Sequence, residues 1–151
     1  MIAGSPLLSF LSNRVFKARK PLLVLASFMA VVITALLVWA TAALPLWGLY
    51  LLCLAAGVFT NAIVVIGFTA TKELFPLPIA GTSTGLVNFF PFLGGAIFQP
   101  LLGYLLERHG KMPDGSFTLA GYREAFLVLF AAALIAFLAS LLIKETLKKE
   151  P

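Results

Sequence analysis

The chain is expected to be an all-α integral membrane protein of four transmembrane helices, with a short partial helix in front of them. Two observations carry this. Four apolar stretches, 21–43, 47–70, 79–106 and 122–143, fill most of the 151 residues, and none holds a charge in its interior. The composition agrees, with 61% hydrophobic and 11% charged residues. A bilayer core about 30 Å thick takes about 20 helical residues to cross, so each stretch is long enough. Lipid offers the backbone no hydrogen-bond partners, and a helix satisfies its own.

The charges argue against some function classes. The net charge is +5, but the cations lie between the apolar stretches and form no basic patch or stripe, so nucleic acid is not an expected partner. A single Cys53, inside a span, excludes an intramolecular disulfide and a multi-cysteine metal site; it reads as a small buried apolar side chain. The chain holds no nucleophile–base set and no metal-ligand spacing. Neither catalysis nor a cofactor is expected, and the lipid bilayer is the first partner.

Met1–Ser12 is apolar but too short to span, and its basic cluster follows it, the reverse of a signal peptide. It reads as the end of a preceding transmembrane helix, so the chain is expected to start inside something larger. Residues 13–20 form a basic loop with Arg14, Lys17, Arg19 and Lys20. Lys72 follows the second span, and Lys144, Lys148 and Lys149 follow the fourth. With four spans these eight cations share one side, against Arg108, Lys111 and Arg123 on the other. Cytoplasmic loops carry the excess of Lys and Arg, which puts both ends in the cytoplasm of a multi-pass protein of the cell's inner or plasma membrane. These cations then serve as topology anchors.

In the first span, Ser27, Thr34 and Thr41 recur every seven residues and suggest a packing seam. Leu44-Pro45-Leu46 is a tight uncharged link that forces the first two spans antiparallel. The second span sets Tyr50, Cys53, Gly57 and Asn61 on one side, with Thr60 at its edge. A polar stripe on an apolar helix faces a bundle interior or an aqueous cavity, so Tyr50, Thr60 and Asn61 are candidates to line a solute pathway; a neighbouring helix would receive them equally well. Thr71–Pro78 is a cytoplasmic loop in which Pro76 and Pro78 end one helix before the next.

The third span carries the most patterned text. Gly81, Gly85, Asn88, Phe92, Gly95, Gln99 and Gly103 follow steps of three and four and so fall on one narrow stripe. Small residues let a neighbouring backbone approach, and Asn88 and Gln99 are costly in hydrocarbon unless they face protein or water. The stripe reads as plain helix packing, as an interface that slides during a conformational cycle, or both. Pro91 and Pro100 are expected to bend this helix.

The loop 107–121 contains the turn Met112-Pro113-Asp114-Gly115, and its His109 reads as a solvated histidine. In the fourth span Ala125, Ala132, Ala136 and Ala139 form a small-residue face, while Leu127, Phe130, Leu134, Phe137 and Leu141 crowd the side expected to meet lipid. The tail 144–151 reads as a solvated cytoplasmic end.

This order of elements resembles the end of a major facilitator superfamily transporter, from the close of helix 8 through helix 12. Residues 9–20 resemble that family's Gly-x-Leu-x-Asp-Arg-x-Gly-Arg-Arg/Lys loop signature, through Asn13, Arg14, Lys17, Arg19 and Lys20. Lys72-Glu73-Leu74-Phe75-Pro76 followed by Gly81, Gly85 and Asn88 also looks like bacterial permeases of the family. Ser9, Asn13 and Phe16 depart from the signature's two glycines and its aspartate, and Asn13 lacks the charge that would latch the loop to a neighbouring helix.

The resemblance implies part of a secondary-active or facilitative transporter that moves a small solute by alternating access and is inactive as an isolated fragment. The second span would then correspond to cavity-lining helix 10. The third would be helix 11 at the interface between halves, formed by Gly81, Gly85, Asn88, Gly95 and Gln99. The first and fourth would be peripheral, lipid-facing helices 9 and 12. The partner would be the missing N-terminal half or another copy of the chain. No ionisable residue lies at membrane depth, so any coupling group would sit in the missing part. The competing class is a self-contained four-helix membrane protein, either a small oligomeric exporter or a structural subunit. An exporter of cationic drugs needs an embedded charge that is absent, and a structural subunit leaves 1–12 and the loop signature unexplained.

Overall fold

The computed structural model describes residues 18–146. The expected partial helix 1–12, the signature residues Asn13, Arg14 and Lys17, and the tail 147–151 lie outside the described residues. Four helices follow: α1 (Lys20–Trp39), α2 (Leu46–Leu74), α3 (Ala80–Arg108) and α4 (Leu119–Leu142). Each is long and apolar enough to cross a membrane.

Pro21 stands in the first turn of α1, where its missing N–H has no partner to lose. That helix ends at Trp39. Pro45 bars the helical conformation to Leu44, so the chain leaves through a turn in which Ala43 and Leu44 donate to the Ala40 carbonyl. Pro45 then flanks α2, which continues to Leu74 before Pro76 and a short 3-10 turn, Leu77–Ile79, lead into α3. α3 runs unbroken through Pro91 and Pro100.

The distal connection is a small hairpin. Gly115 N–H donates to the Met112 carbonyl at 2.9 Å, Met112 N–H to Ser116 at 2.8 Å, and Lys111 pairs with Phe117. Gly115 takes φ +83°, which a side chain would strain. Asp114 accepts from the Ser116 hydroxyl at 2.7 Å and from its N–H at 3.0 Å. Both bonds favour the charged carboxylate, the hydroxyl's most, and hold it below the usual 3.8. A depressed value in the folded chain means that this turn is supported above 3.8 and loses the support as pH falls through the folded value. Replacing Ser116 by Ala should move the Asp114 titration back toward 3.8, read from its carboxyl carbon resonance. Thr118 caps α4 by accepting from Gly121 N–H at 3.3 Å. A Cβ on Gly121 would stand 3.3 Å from the Leu106 carbonyl oxygen, so glycine there allows α4 to close on α3.

Inside lipid the hydrophobic effect does not drive helices together, so close packing decides which faces meet. α1 packs most extensively on α4 and next on α2, while α3 makes lesser contacts with α2 and α4. Leu22, Leu23 and Ala26 of α1 form a buried cluster with Ile66 of α2, with Val58 and Ile63 against it. On the α4 side Phe28 meets Phe137 at 5.8 Å and Trp39 meets Phe130 edge-on at 5.2 Å.

These contacts correct one expectation. Among the described helices α1 is the most buried, with 33% of its apolar core covered against 6%, 6% and 11% for the other three spans. Phe130 and Phe137 do not face lipid but pack on α1, because the aromatic rings fill the gap between these antiparallel helices. Ala125 is buried, whereas Ala136 and Ala139 are the exposed residues. Ser27 is buried and donates to its own helix at Leu23, and Thr34 and Thr41 likewise bond Ala30 and Leu37. The seam is therefore satisfied within α1 and ties no neighbour by hydrogen bonds.

Candidate functional site

Among the described residues, three regions carry polar chemistry: a clasp at the end where α1 starts and α2 and α4 finish, an uncovered surface on α2 and α3, and a charged cleft at the opposite end.

The clasp begins with helix termini. The first N–H groups of a helix lack internal acceptors and the last carbonyls lack donors. The Glu145 carboxylate accepts from Arg19 N–H at 2.8 Å and Lys20 N–H at 3.0 Å, covering the start of α1. In return the Lys20 ammonium donates to the Leu141 carbonyl at 2.9 Å, near the end of α4. Each group also opposes the helix dipole's partial charge. The Arg19 guanidinium reaches Glu73 in the last turn of α2, with Nη2 at 2.7 Å and Nε at 3.2 Å from Oε1. The Thr146 hydroxyl donates to the same carboxylate at 3.0 Å. The Arg19 side chain is 9% exposed and that of Glu73 24%.

Arg19, Glu73 and Glu145 thus join three chain segments. Arg19 and Lys20 are thus more than topology anchors and the start of the tail is not merely solvated; neither carboxylate was foreseen as their partner. Glu73 next to Lys72 in a helix-ending segment was visible, but nothing in the spacing pointed to a partner 54 positions away.

On α2, Tyr50, Cys53, Gly57 and Thr60 are all exposed, the first three on the side away from Ile66. Tyr50 is 68% exposed. Cys53 is therefore not a buried side chain, because the α1 contact uses the other face of α2. Thr60 donates to Ala56 at 2.6 Å, which leaves its oxygen as an acceptor. Asn61 lies on α2, and its side chain is outside the described residues.

The α3 stripe is open as well. Gly81, Gly85, Asn88, Phe92 and Gln99 are exposed, and Gly95 and Gly103 are half-buried. A Cβ on Gly81, Gly85 or Gly103 would meet no atom within 4 Å, and one on Gly95 only the Gln99 amide nitrogen at 4.0 Å. The glycines do not serve packing among the described residues, since α3 buries Ser83 and Leu105. At the clasp end the two open surfaces meet in a cleft of about 410 Å³ lined by Phe68, Lys72, Thr84, Gly85 and Asn88.

At the opposite end a cleft of about 540 Å³ is lined by residues including Arg108, His109, Arg123 and Glu124. Glu124 accepts from Arg108 at 3.3 Å and meets His109 Nε2. His109 is thus not merely solvated, because the close approach at Gly121 brings α4's carboxylate to it.

A family model described as the Major Facilitator Superfamily matches residues 1–151. The glycerol-3-phosphate transporter of Bacillus subtilis (strain 168) is 36% identical over 111 residues, 71% of this chain and 24% of the relative. The chain thus spans about a quarter of the length of that curated relative. No solved structure matches.

Proposed function

This chain belongs to the major facilitator superfamily, and from that premise we propose that it forms the closing part, helix 8 end through helix 12, of a secondary-active or facilitative transporter. The solute is a small organic phosphate, a class suggested by the printed name of the Bacillus relative. Transport proceeds by alternating access, with a six-helix half rocking against the other around a site near the midplane. This part alone does not transport, and it catalyses no chemical conversion. Its partner is the N-terminal half or a second copy, and it lies in the cell's inner or plasma membrane with the clasp end cytoplasmic.

Tyr50, Thr60 and Asn61 contribute to the solute pathway. Gly81, Gly85, Asn88, Gly95 and Gln99 form the surface that meets the other half, and the loop carrying Asn13, Arg14, Lys17, Arg19 and Lys20 stays on the cytoplasmic side. The observation that carries this reading is the pairing of two uncovered surfaces, both with polar side chains in otherwise apolar helices, on the two helices that the chain itself buries least.

The test is uptake of radiolabelled glycerol 3-phosphate by the full-length protein in proteoliposomes. Tyr50→Phe and Asn61→Ala should each lower uptake about three-fold to ten-fold, the cost of one hydrogen bond at about 1 kcal/mol. Full activity in both variants would remove these residues from the pathway.

A further inference from the structure

Thr84 is the one buried side-chain polar atom without a partner among the described residues. Helical threonines ordinarily donate to their own chain, and here Thr34, Thr60, Thr69 and Thr71 all bond the carbonyl four residues back. Thr84 would use the Ala80 carbonyl. That oxygen already takes the Ser83 hydroxyl at 3.0 Å, and the helix pattern assigns its other lone pair to an N–H. The hydroxyl is left with a donor to spend, and an unspent buried donor is destabilising.

Thr84 lines the α2–α3 cleft with Lys72, Asn88, Gly85 and Phe68. Neither the Lys72 ammonium nor the Asn88 amide has a hydrogen bond within the described chain. Glu73, next to Lys72, is held by Arg19 and Thr146. The lining therefore combines one uncommitted cation with hydroxyl and amide donors and includes no carboxylate. Gly85 leaves open space where a Cβ would stand. Such a set suits a phosphate monoester, whose oxygens accept several charge-assisted bonds.

We infer that this cleft is a loading station for the phosphate group of the solute at the clasp-side mouth of the pathway, with Lys72, Thr84 and Asn88 as its donors. The inference rests on the proposed transport of an organic phosphate and adds a second anion position away from the midplane. An anionic lipid headgroup offers the same chemistry, but the cleft shares Gly85 and Asn88 with the stripe assigned to the other half, which favours a soluble ligand.

The test labels lysines of the wild-type full-length protein with an amine-acylating reagent and reads each site by mass spectrometry. Glycerol 3-phosphate should slow labelling of Lys72 at least three-fold and leave Lys144, exposed at the same end, unchanged; glycerol should protect neither. Equal labelling of Lys72 with and without glycerol 3-phosphate overturns the station. So does protection that appears only when anionic phosphatidylglycerol replaces phosphatidylcholine in the vesicles. Protection without uptake keeps the station and sinks the transport reading instead. In uptake assays, Lys72→Gln should raise the half-saturating concentration on the clasp face about ten-fold, with Lys72→Arg restoring it and Thr84→Val raising it about three-fold. Wild-type half-saturation in Lys72→Gln would also overturn the station.

Discussion

Glu73→Ala should destabilise the helical unit by about 2–3 kcal/mol, because it removes the carboxylate that pairs with the Arg19 guanidinium at 9% exposure. The full penalty of a buried pair does not apply, since Glu73 keeps a quarter of its surface in contact with solvent. Glu73→Gln retains an acceptor for Arg19 and for Thr146, and about half the loss is expected. Arg19→Lys keeps the charge but loses the two-nitrogen fork, and it should fall between the two. Equilibrium denaturation in mixed micelles measures all three. The double variant Arg19→Ala/Glu73→Ala should cost clearly less than the sum of the singles; strict additivity would mean that the pair is not coupled. The pair links the start of α1 to the end of α2, and Glu145 and Thr146 bring in the segment after α4, so the loss should loosen one whole end of the protein.

Gly85→Leu is expected to abolish most transport, by at least ten-fold, without any clash among the described residues. A Cβ there meets nothing within 4 Å, and leucine is the better helix former by nearly 1 kcal/mol. Harm can come only from something outside these four helices that approaches the α3 backbone. The loss should grow with size, small for Gly85→Ala and large for Gly85→Leu, as expected for a close helix crossing. Uptake in proteoliposomes reads the effect. Unchanged uptake with unchanged thermal stability would mean that the stripe faces lipid, and would remove it from the proposed interface between halves.

The α3 stripe was legible because a period of three and four is a property of one helix, and the structure adds that the described residues leave most of it open. The polar side of α2 was legible for the same reason. Cys53 was misread because a stripe shows which residues share a face and leaves open whether a neighbour covers it. Phe130 and Phe137 were assigned to lipid on bulk alone, although large rings serve equally to fill the gap between α1 and α4. The Thr84 hydroxyl left no trace in the sequence, since its isolation follows from Ser83 taking one shared carbonyl oxygen.

The number of spans, the membrane setting and the family were determined by the sequence alone. A helix is the way for a single segment to satisfy its backbone in lipid, so run length and charge placement suffice to find each span. Which helices touch was decided only by the tertiary structure. Lipid tails and leucine side chains are equally apolar, so hydrophobic pattern cannot tell a packed face from a lipid-facing one. The clasp belongs to that second category: Arg19 and Glu145 stand 126 positions apart and meet because α1 and α4 pack antiparallel along their length.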